Sequence, residues 1–279
     1  MNDSLDQSVS PFIDMLKACM SGEHVSFHMP GHNNSSGFSN WLKQNALNID
    51  TTEFVLTDDI NHPGEAILHA EKLAAAAFGA GQTFFVTTGA SIAVHAAVIS
   101  LASRGDLIIA DRISHSSLID SCRLYGISVV FGSKEDIPDL ITSYPHAALV
   151  FVTRPDYYGN APDIRDIITA AKAASIPVVI DESHGSHYCF APGIMPRSAL
   201  SCGADVVIHS AHKTLPVLTQ GAFLHISGSY IDSSRFKADI FRNSLRAVST
   251  TSPSFLIAAT LDFARSMMAL QGADRKSVV

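Results

Sequence analysis

From residue 84 onward, short runs rich in β-branched and aromatic residues alternate with longer stretches whose apolar positions recur every three or four residues. That alternation predicts βαβ units built around a parallel sheet. Strands are expected at 84–88, 106–111, 128–131, 147–153, 177–181, 206–210 and 222–226. Most are apolar on consecutive residues, as strands covered on both faces should be. Helices are expected at 91–103, 116–125, 134–142 and 164–174, several of them closed by Gly or Pro. The fold class is therefore α/β: three α/β/α layers around a mostly parallel, seven-stranded sheet.

The first 83 residues read differently, with a helix at 11–20, a Gly/Asn/Ser-rich segment (PGHNNSSGFSN) and a second helix at 66–78 that stops at Gly79. Residues 1–60 are read as an arm and lead-in, and residues 61–271 as the major domain. After residue 226, SGSYIDSSRF is expected to be a loop, and PSFLIAATLDFARSMMAL (253–270) an amphipathic helix with Pro in its first turn. The closing GADRKSVV carries no pattern and is read as an unstructured tail, 272–279.

Composition narrows the class. Hydrophobic residues make up 47% of the chain and charged residues 16%, against an average of about 25% charged, which excludes disordered, collagen-like and coiled-coil proteins. The four cysteines show no CxxC spacing, so no zinc knuckle or disulfide scaffold is expected and a reducing cytoplasm fits best. A net charge of -7 without a basic run argues against a nucleic-acid partner. The N-terminus lacks a positive segment ahead of an apolar one, and no apolar run approaches the ~20 residues that span a bilayer, so neither a signal peptide nor a membrane partner is expected.

Ligands of open α/β sheets bind at the carboxyl ends of strands, so the polar residues there carry the candidate chemistry. The first expected strand runs into Thr88-Gly89-Ala90-Ser91 and a helix, which suits either a phosphate cup or an ordinary helix cap. The run PVVID ends in Asp181-Glu182-Ser183-His184-Gly185-Ser186-His187. A carboxylate leaving so apolar a strand needs a partner: a protonated ring nitrogen, a salt bridge to a neighbouring helix, or a metal held by Asp181, His184 and His187. The metal is the least favoured, since the spacing matches no zinc motif. Another run ends in Ser210-Ala211-His212-Lys213, whose lysine is either an ordinary solvated charge or a desolvated amine fit for Schiff-base chemistry. Phosphate cup, strand-end acid and strand-end lysine, in that order on one sheet, point jointly to a pyridoxal 5'-phosphate site.

These residues sit in longer matching stretches: HMPGH (28–32), DDINHPGEAILHAEKLAAAAFGA (58–80), the turn at 89–91, DRISHSS (111–117), RPDYYG (154–159), DESHGSH (181–187), SAHKTL (210–215) and TTSPSF (250–255). From about residue 28 to about residue 270 the chain resembles the major domain of the Orn/Lys/Arg decarboxylases, among the fold-type-I pyridoxal phosphate enzymes. The resemblance implies an aspartate aminotransferase-like large domain, decarboxylation of arginine, lysine or ornithine to a polyamine-type amine, and a homodimer or higher oligomer with sites at the subunit interface. It implies that Lys213 forms the Schiff base, that Asp181 pairs with the ring nitrogen, that His184 lies near the phenolic oxygen and that His115 stacks on the ring. Gly89, Ala90, Ser91, Ser210 and His212 would hold the phosphate, and residues 250–254 would reach the partner's phosphate. An aminotransferase or aldolase-type enzyme on the same fold, or a non-catalytic homologue, are the alternatives.

Departures from the family pattern are Asn33-Asn34-Ser35 after HMPGH, Ala90 where Ser or Thr is usual, and Asp156 in place of Thr, a second carboxylate expected to bear on substrate preference. His28 and His32 have no assigned role. Family members continue into a smaller C-terminal domain that this sequence lacks, so the expectation is a truncated product with a foreign or frameshifted tail.

Overall fold

The structure, a computed structural model, describes residues 10–21, 28–33, 38–54, 57–237 and 239–272. Asn34, Ser35 and the expected tail beyond residue 272 lie outside the described residues. In chain order the elements are helices α1 (Pro11–Met20), α2 (Asn40–Asn45) and α3 (Ala66–Phe78), then β1 (Gln82–Val86), α4 (Ala90–Leu101), β2 (Leu107–Asp111), α5 (Ser116–Tyr125), β3 (Ser128–Gly132) and α6 (Ile137–Ser143). There follow β4 (Val150–Thr153), α7 (Arg165–Ala173), β5 (Val178–Asp181), α8 (Ala199–Cys202), β6 (Val206–His209), α9 (Ala211–Thr214), β7 (Ala222–Ile226), α10 (Gly228–Ile231), α11 (Ile240–Val248) and α12 (Phe255–Gln271). No helix among the described residues is long and apolar enough to cross a membrane.

The sheet has seven strands in the order β1-β7-β6-β5-β4-β2-β3. Pairs from β6 through β3 are parallel, and β7 enters antiparallel to both β6 and β1. Two successive reversals restore β1 to the direction of β6. The carboxyl ends of β1, β6, β5, β4 and β2 therefore share one edge of the sheet. All residues of β4, β5, β6 and β7 are buried, which is why these strands read as mostly apolar runs.

Helix α4 is apolar all round because the sheet, α5 and α11 enclose it. It joins β1 at one edge of the sheet to β2 near the other. A second apolar layer on the opposite face draws on α6, α7 and α8, and a third cluster packs α3 and α12 around Phe78, Phe85 and Phe223. Each fully buried Ile or Phe here contributes about 1.5–3 kcal/mol of hydrophobic stabilisation.

Several expected boundaries shift for local reasons. Helix α6 starts at Ile137 rather than residue 134, because the Ser133 N–H and hydroxyl both donate to Asp136 Oδ2 and close a turn first. The 253–270 helix begins at Phe255, where Ser254 Oγ caps the N–H of Ile257. The expected loop after β7 contains α10, capped by Ser227. Helix α11 was not expected from the pattern; it buries Phe241 and Leu245 against α4.

Candidate active site

A cleft of about 320 Å³ opens where the carboxyl edge of the sheet meets the N-terminus of α4. Gly89, Ala90 and Ser91 line it from the start of α4, and His115 from the start of α5. Asp181 and His184 enter from the end of β5, and Ser210, His212 and Lys213 from the end of β6 and α9. The nine residues named from sequence thus lie around one cavity.

Gly89 is the N-cap of α4 at φ 93°, a conformation that costs glycine little, and no side chain caps this helix. Ser91 is therefore not an ordinary helix cap, and the first N–H groups of α4 remain available at the cleft wall. His115 is the N-cap of α5: its Nδ1 accepts the Ser117 N–H at 3.1 Å, which assigns the ring proton to Nε2 in the neutral form. Tyr157, which the sequence reading did not single out, stands 6.5 Å from the His115 ring and 6.2 Å from the His184 ring.

Asp181 is buried, and its Oδ1 accepts the Ser183 N–H at 3.1 Å. It forms no ion pair among the described residues, so the salt bridge to a neighbouring helix is not formed. Nor are Asp181, His184 and His187 brought together: the His187 ring packs on Tyr188 at 5.0 Å, away from the cleft. Among the described residues no cluster of three His, Cys, Asp or Glu side chains could hold a metal. Lys213 Nζ lies 3.0 Å from His184 Nε2. Burial lowers the pKa of Lys213, against the opposing pull of Asp181. Burial, then the charge of Lys213, lowers that of His184. His212 Nδ1 sits 3.3 Å from both Ser210 Oγ and the Gly221 carbonyl, and burial lowers its pKa too.

Two expectations change. Asp156 does not line the cleft: its Oδ1 accepts the N–H groups of Tyr158 and Asn160 and its Oδ2 the Asn160 side-chain amide. Both carboxylate oxygens are thus engaged by its own loop. The HMPGH stretch, in contrast, packs behind the lysine. The Gly31 N–H donates to the His212 carbonyl at 2.7 Å, and a Cβ on Gly31 would come within 3.0–3.1 Å of the Lys213 and Leu215 carbonyls. His32 packs on Phe38 at 5.4 Å, and the exposed His28 contacts the Met29 carbonyl, so neither enters the cleft.

Behind the site lies a buried polar chain that sequence reading missed. Glu182 Oε1 accepts from Arg154 Nη1 at 3.2 Å and from the Ala199 N–H at 2.9 Å, and its Oε2 pairs with His209 Nε2 at 3.0 Å. His209 Nδ1 meets His225 Nε2 at 3.1 Å, and His225 Nδ1 meets Thr83 Oγ1 at 2.7 Å.

A family profile described as Orn/Lys/Arg decarboxylase, major domain, matches residues 10–278. The chain is 35% identical to the uncharacterized protein YaaO of Bacillus subtilis (strain 168), over 86% of this chain and 53% of that protein. It is 33% identical to the arginine decarboxylase of the same organism, over 96% of this chain and 57% of that enzyme. The chain thus spans just over half the length of the curated relatives it matches. Among solved structures, lysine decarboxylase A from Pseudomonas aeruginosa superposes with a TM-score of 0.68 at 25% identity, covering 96% of this chain and 41% of that one. L-threonine transaldolase from Pseudomonas fluorescens, in its internal aldimine state, matches with a TM-score of 0.70 at 16% identity, covering 96% of this chain and 65% of that one. The fold is the aspartate aminotransferase-like α/β fold.

Proposed function

Because the chain belongs to the Orn/Lys/Arg decarboxylase family, we propose that it binds pyridoxal 5'-phosphate and removes the carboxyl group of arginine, lysine or ornithine. One observation carries this reading. A lysine amine 3.0 Å from an imidazole, a buried carboxylate without an ion pair and an uncapped helix N-terminus meet in a single cleft. The donor set fits the cofactor. Lys213 supplies the amine that attaches it, Asp181 a carboxylate for its ring nitrogen, and the α4 N–H groups with Ser91, Ser210 and His212 a cradle for its phosphate. His115 would cover one ring face. When bound, the cofactor supplies an electron sink for the charge left by departing CO2.

The residues of the chain do the rest. Burial lowers the Lys213 pKa and so favours the uncharged, nucleophilic amine. His184 Nε2, 3.0 Å from Lys213 Nζ, can hold a proton together with the lysine for delivery to the substrate α-carbon that CO2 has left. Support for the substrate class comes from the arginine decarboxylase and lysine decarboxylase relatives. We further propose an arm over residues 1–60, a major domain over 61–271, and a homodimer in which the exposed residues 250–252 approach the partner's site.

The test is an absorbance spectrum. Protein given pyridoxal phosphate should show a visible band near ~420 nm that Lys213→Ala removes. A colourless wild type, or a band surviving in Lys213→Ala, overturns the site. Release of labelled CO2 from carboxyl-labelled arginine, lysine or ornithine, without keto-acid formation, separates decarboxylation from transamination. Sedimentation as a monomer alone would count against the dimer.

A further inference from the structure

Among the matched stretches of the sequence, HMPGH (28–32) has no chemistry of its own, since its two histidines stay out of the cleft. Its glycine has another use. Lys213 sits on α9, a single turn of four residues, and so short a helix leaves carbonyls without partners inside it. Within the turn the Lys213 N–H donates to the Ser210 carbonyl at 2.9 Å and the Leu215 N–H to the Ala211 carbonyl at 2.8 Å. The arm reaches the next carbonyl from outside: the Gly31 N–H donates to the His212 carbonyl at 2.7 Å, one residue before the lysine.

Only glycine allows so close an approach. A Cβ on Gly31 would stand 3.0 Å from the Leu215 carbonyl oxygen and 3.1 Å from both the Lys213 carbonyl oxygen and the Thr214 carbonyl carbon. All three are backbone atoms of the segment that carries the lysine, so room for a methyl comes only from moving that segment or lifting the arm. Further along, Phe38 holds the arm down; it is 7% exposed, and its ring packs on Phe263 of α12 at 5.8 Å. From the braced turn the lysine reaches into the cleft, where Nζ meets His184 Nε2 at 3.0 Å.

We propose that Gly31 is a positioning residue for Lys213: the arm closes on the back of the lysine turn and sets where the amine stands in the cleft. This rests on the pyridoxal phosphate reading above, in which Lys213 attaches the cofactor. Misplacing a reacting group by about 1 Å costs about a hundredfold in rate, so the few tenths of an ångström that a methyl on Gly31 demands should cost about five- to tenfold. Coupling is reciprocal. If the closed arm favours the lysine placement that takes the cofactor, bound cofactor must favour the closed arm by the same factor.

Gly31→Ala keeps the N–H and adds only the methyl, Gly31→Val enlarges the intrusion, and Gly228→Ala, where a Cβ meets nothing within 4 Å, is the control. Mixed with saturating pyridoxal phosphate well below its melting temperature, the Gly31→Ala protein should develop the visible band about five- to tenfold more slowly than wild type. Gly31→Val should be slower still, and the control should match wild type. In the loaded proteins kcat should fall in the same order while KM for the amino acid stays put. Hydrogen exchange in wild type needs no substitution: the peptide over 28–33 should exchange about tenfold more slowly once the cofactor is bound, and that over α7 should not change. A Gly31→Ala protein that melts lower yet loads and turns over as wild type makes the arm a structural prop alone and overturns the proposal. So does an arm peptide whose exchange ignores the cofactor, a result that decides the matter even where Gly31→Ala fails to fold. Wild type that takes up no cofactor defeats the parent reading and this one together, whereas wild type that loads no faster than Gly31→Ala defeats this one alone.

Discussion

Removing the Glu182 carboxylate should destabilise the cofactor-free protein by about 4 kcal/mol, because it strands a cation in the core. Glu182 is wholly buried, and Arg154 and His209 are 2% and 1% exposed. At 3.2 Å the Arg154 contact carries about 5 kcal/mol of attraction at an effective dielectric near 20, a gross figure that desolvation of both groups offsets. In Glu182→Ala the offset remains on the arginine side while the attraction is gone. Among the described residues the remaining Arg154 partners are neutral: the Pro162 and Arg197 carbonyls at 2.7 and 2.8 Å, and the Tyr188 ring at 6.0 Å. A loss of about 4 kcal/mol in a chain of 279 residues lowers Tm by roughly 8 °C. Thermal and urea unfolding followed by circular dichroism measure it. Glu182→Gln should lose most of the same amount, since its amide N–H groups would face the donors of Arg154 or His209. The double variant Arg154→Met, Glu182→Leu should recover most of the loss, because no uncompensated charge is left. A Glu182→Ala shift under about 1 kcal/mol, or a double variant whose loss equals the sum of the single ones, would refute the reasoning.

Two further predictions concern protons and charge. Burial depresses the His187 pKa to about 4, so the folded protein keeps this ring neutral where the unfolded chain, near 6.5, takes up a proton. Stability is therefore full above about pH 6.5 and falls as pH drops toward 4, by up to about 3 kcal/mol, and His187→Gln should flatten that slope in urea unfolding at pH 7 and 5. An unchanged slope would show that His187 is protonated in the folded protein or contributes nothing. Among the described residues Asp181 has no ion pair to lose, so Asp181→Asn should leave the melting of cofactor-free protein unchanged while weakening pyridoxal phosphate binding tenfold or more, as followed by the visible band. Equal affinity in the two proteins would remove Asp181 from the ring nitrogen.

The strand ends were legible because VVID and VVIH are apolar until their last residues, so Asp181, and Lys213 just beyond, stand out as polar groups the core cannot hold. The place of Gly31 was not legible. HMPGH stands out as a matched stretch, but the contact of its glycine with the lysine turn shows only in the folded chain. Helix α11 was missed although IFRNSLRAV sets Phe241, Leu245 and Val248 at helical spacing, because it is short and follows a polar, strand-free stretch. The Glu182 chain was hidden by topology. Thr83 and His225 are 142 residues apart, and they meet because β7 turns antiparallel between β1 and β6, a reversal that a strand buried on both faces does not record in its hydrophobicity.

That reversal bears on the chemistry as well as on stability. Asp181 and Glu182 are neighbours in sequence that point opposite ways, Asp181 into the cleft and Glu182 toward α8 and the β6 edge. Both lie at the end of β5, beside Arg154 after β4, whose own N–H donates to the Asp181 carbonyl at 2.9 Å. The guanidinium turns to the Glu182 side, where His209 and, through it, His225 and Thr83 complete the acceptor and donor set. His209 Nε2 faces Glu182, its Nδ1 shares one proton with His225 Nε2, and His225 Nδ1 shares one with the Thr83 hydroxyl. Burial keeps the His225 ring neutral by pushing its pKa well down. The Arg154 guanidinium beside Asp181 is thus engaged by Glu182 on the far side of the sheet, leaving the Asp181 carboxyl for whatever group enters the cleft. Sheet register supplies this division of charge, and the DESHGSH motif could not express it without the strands on either side.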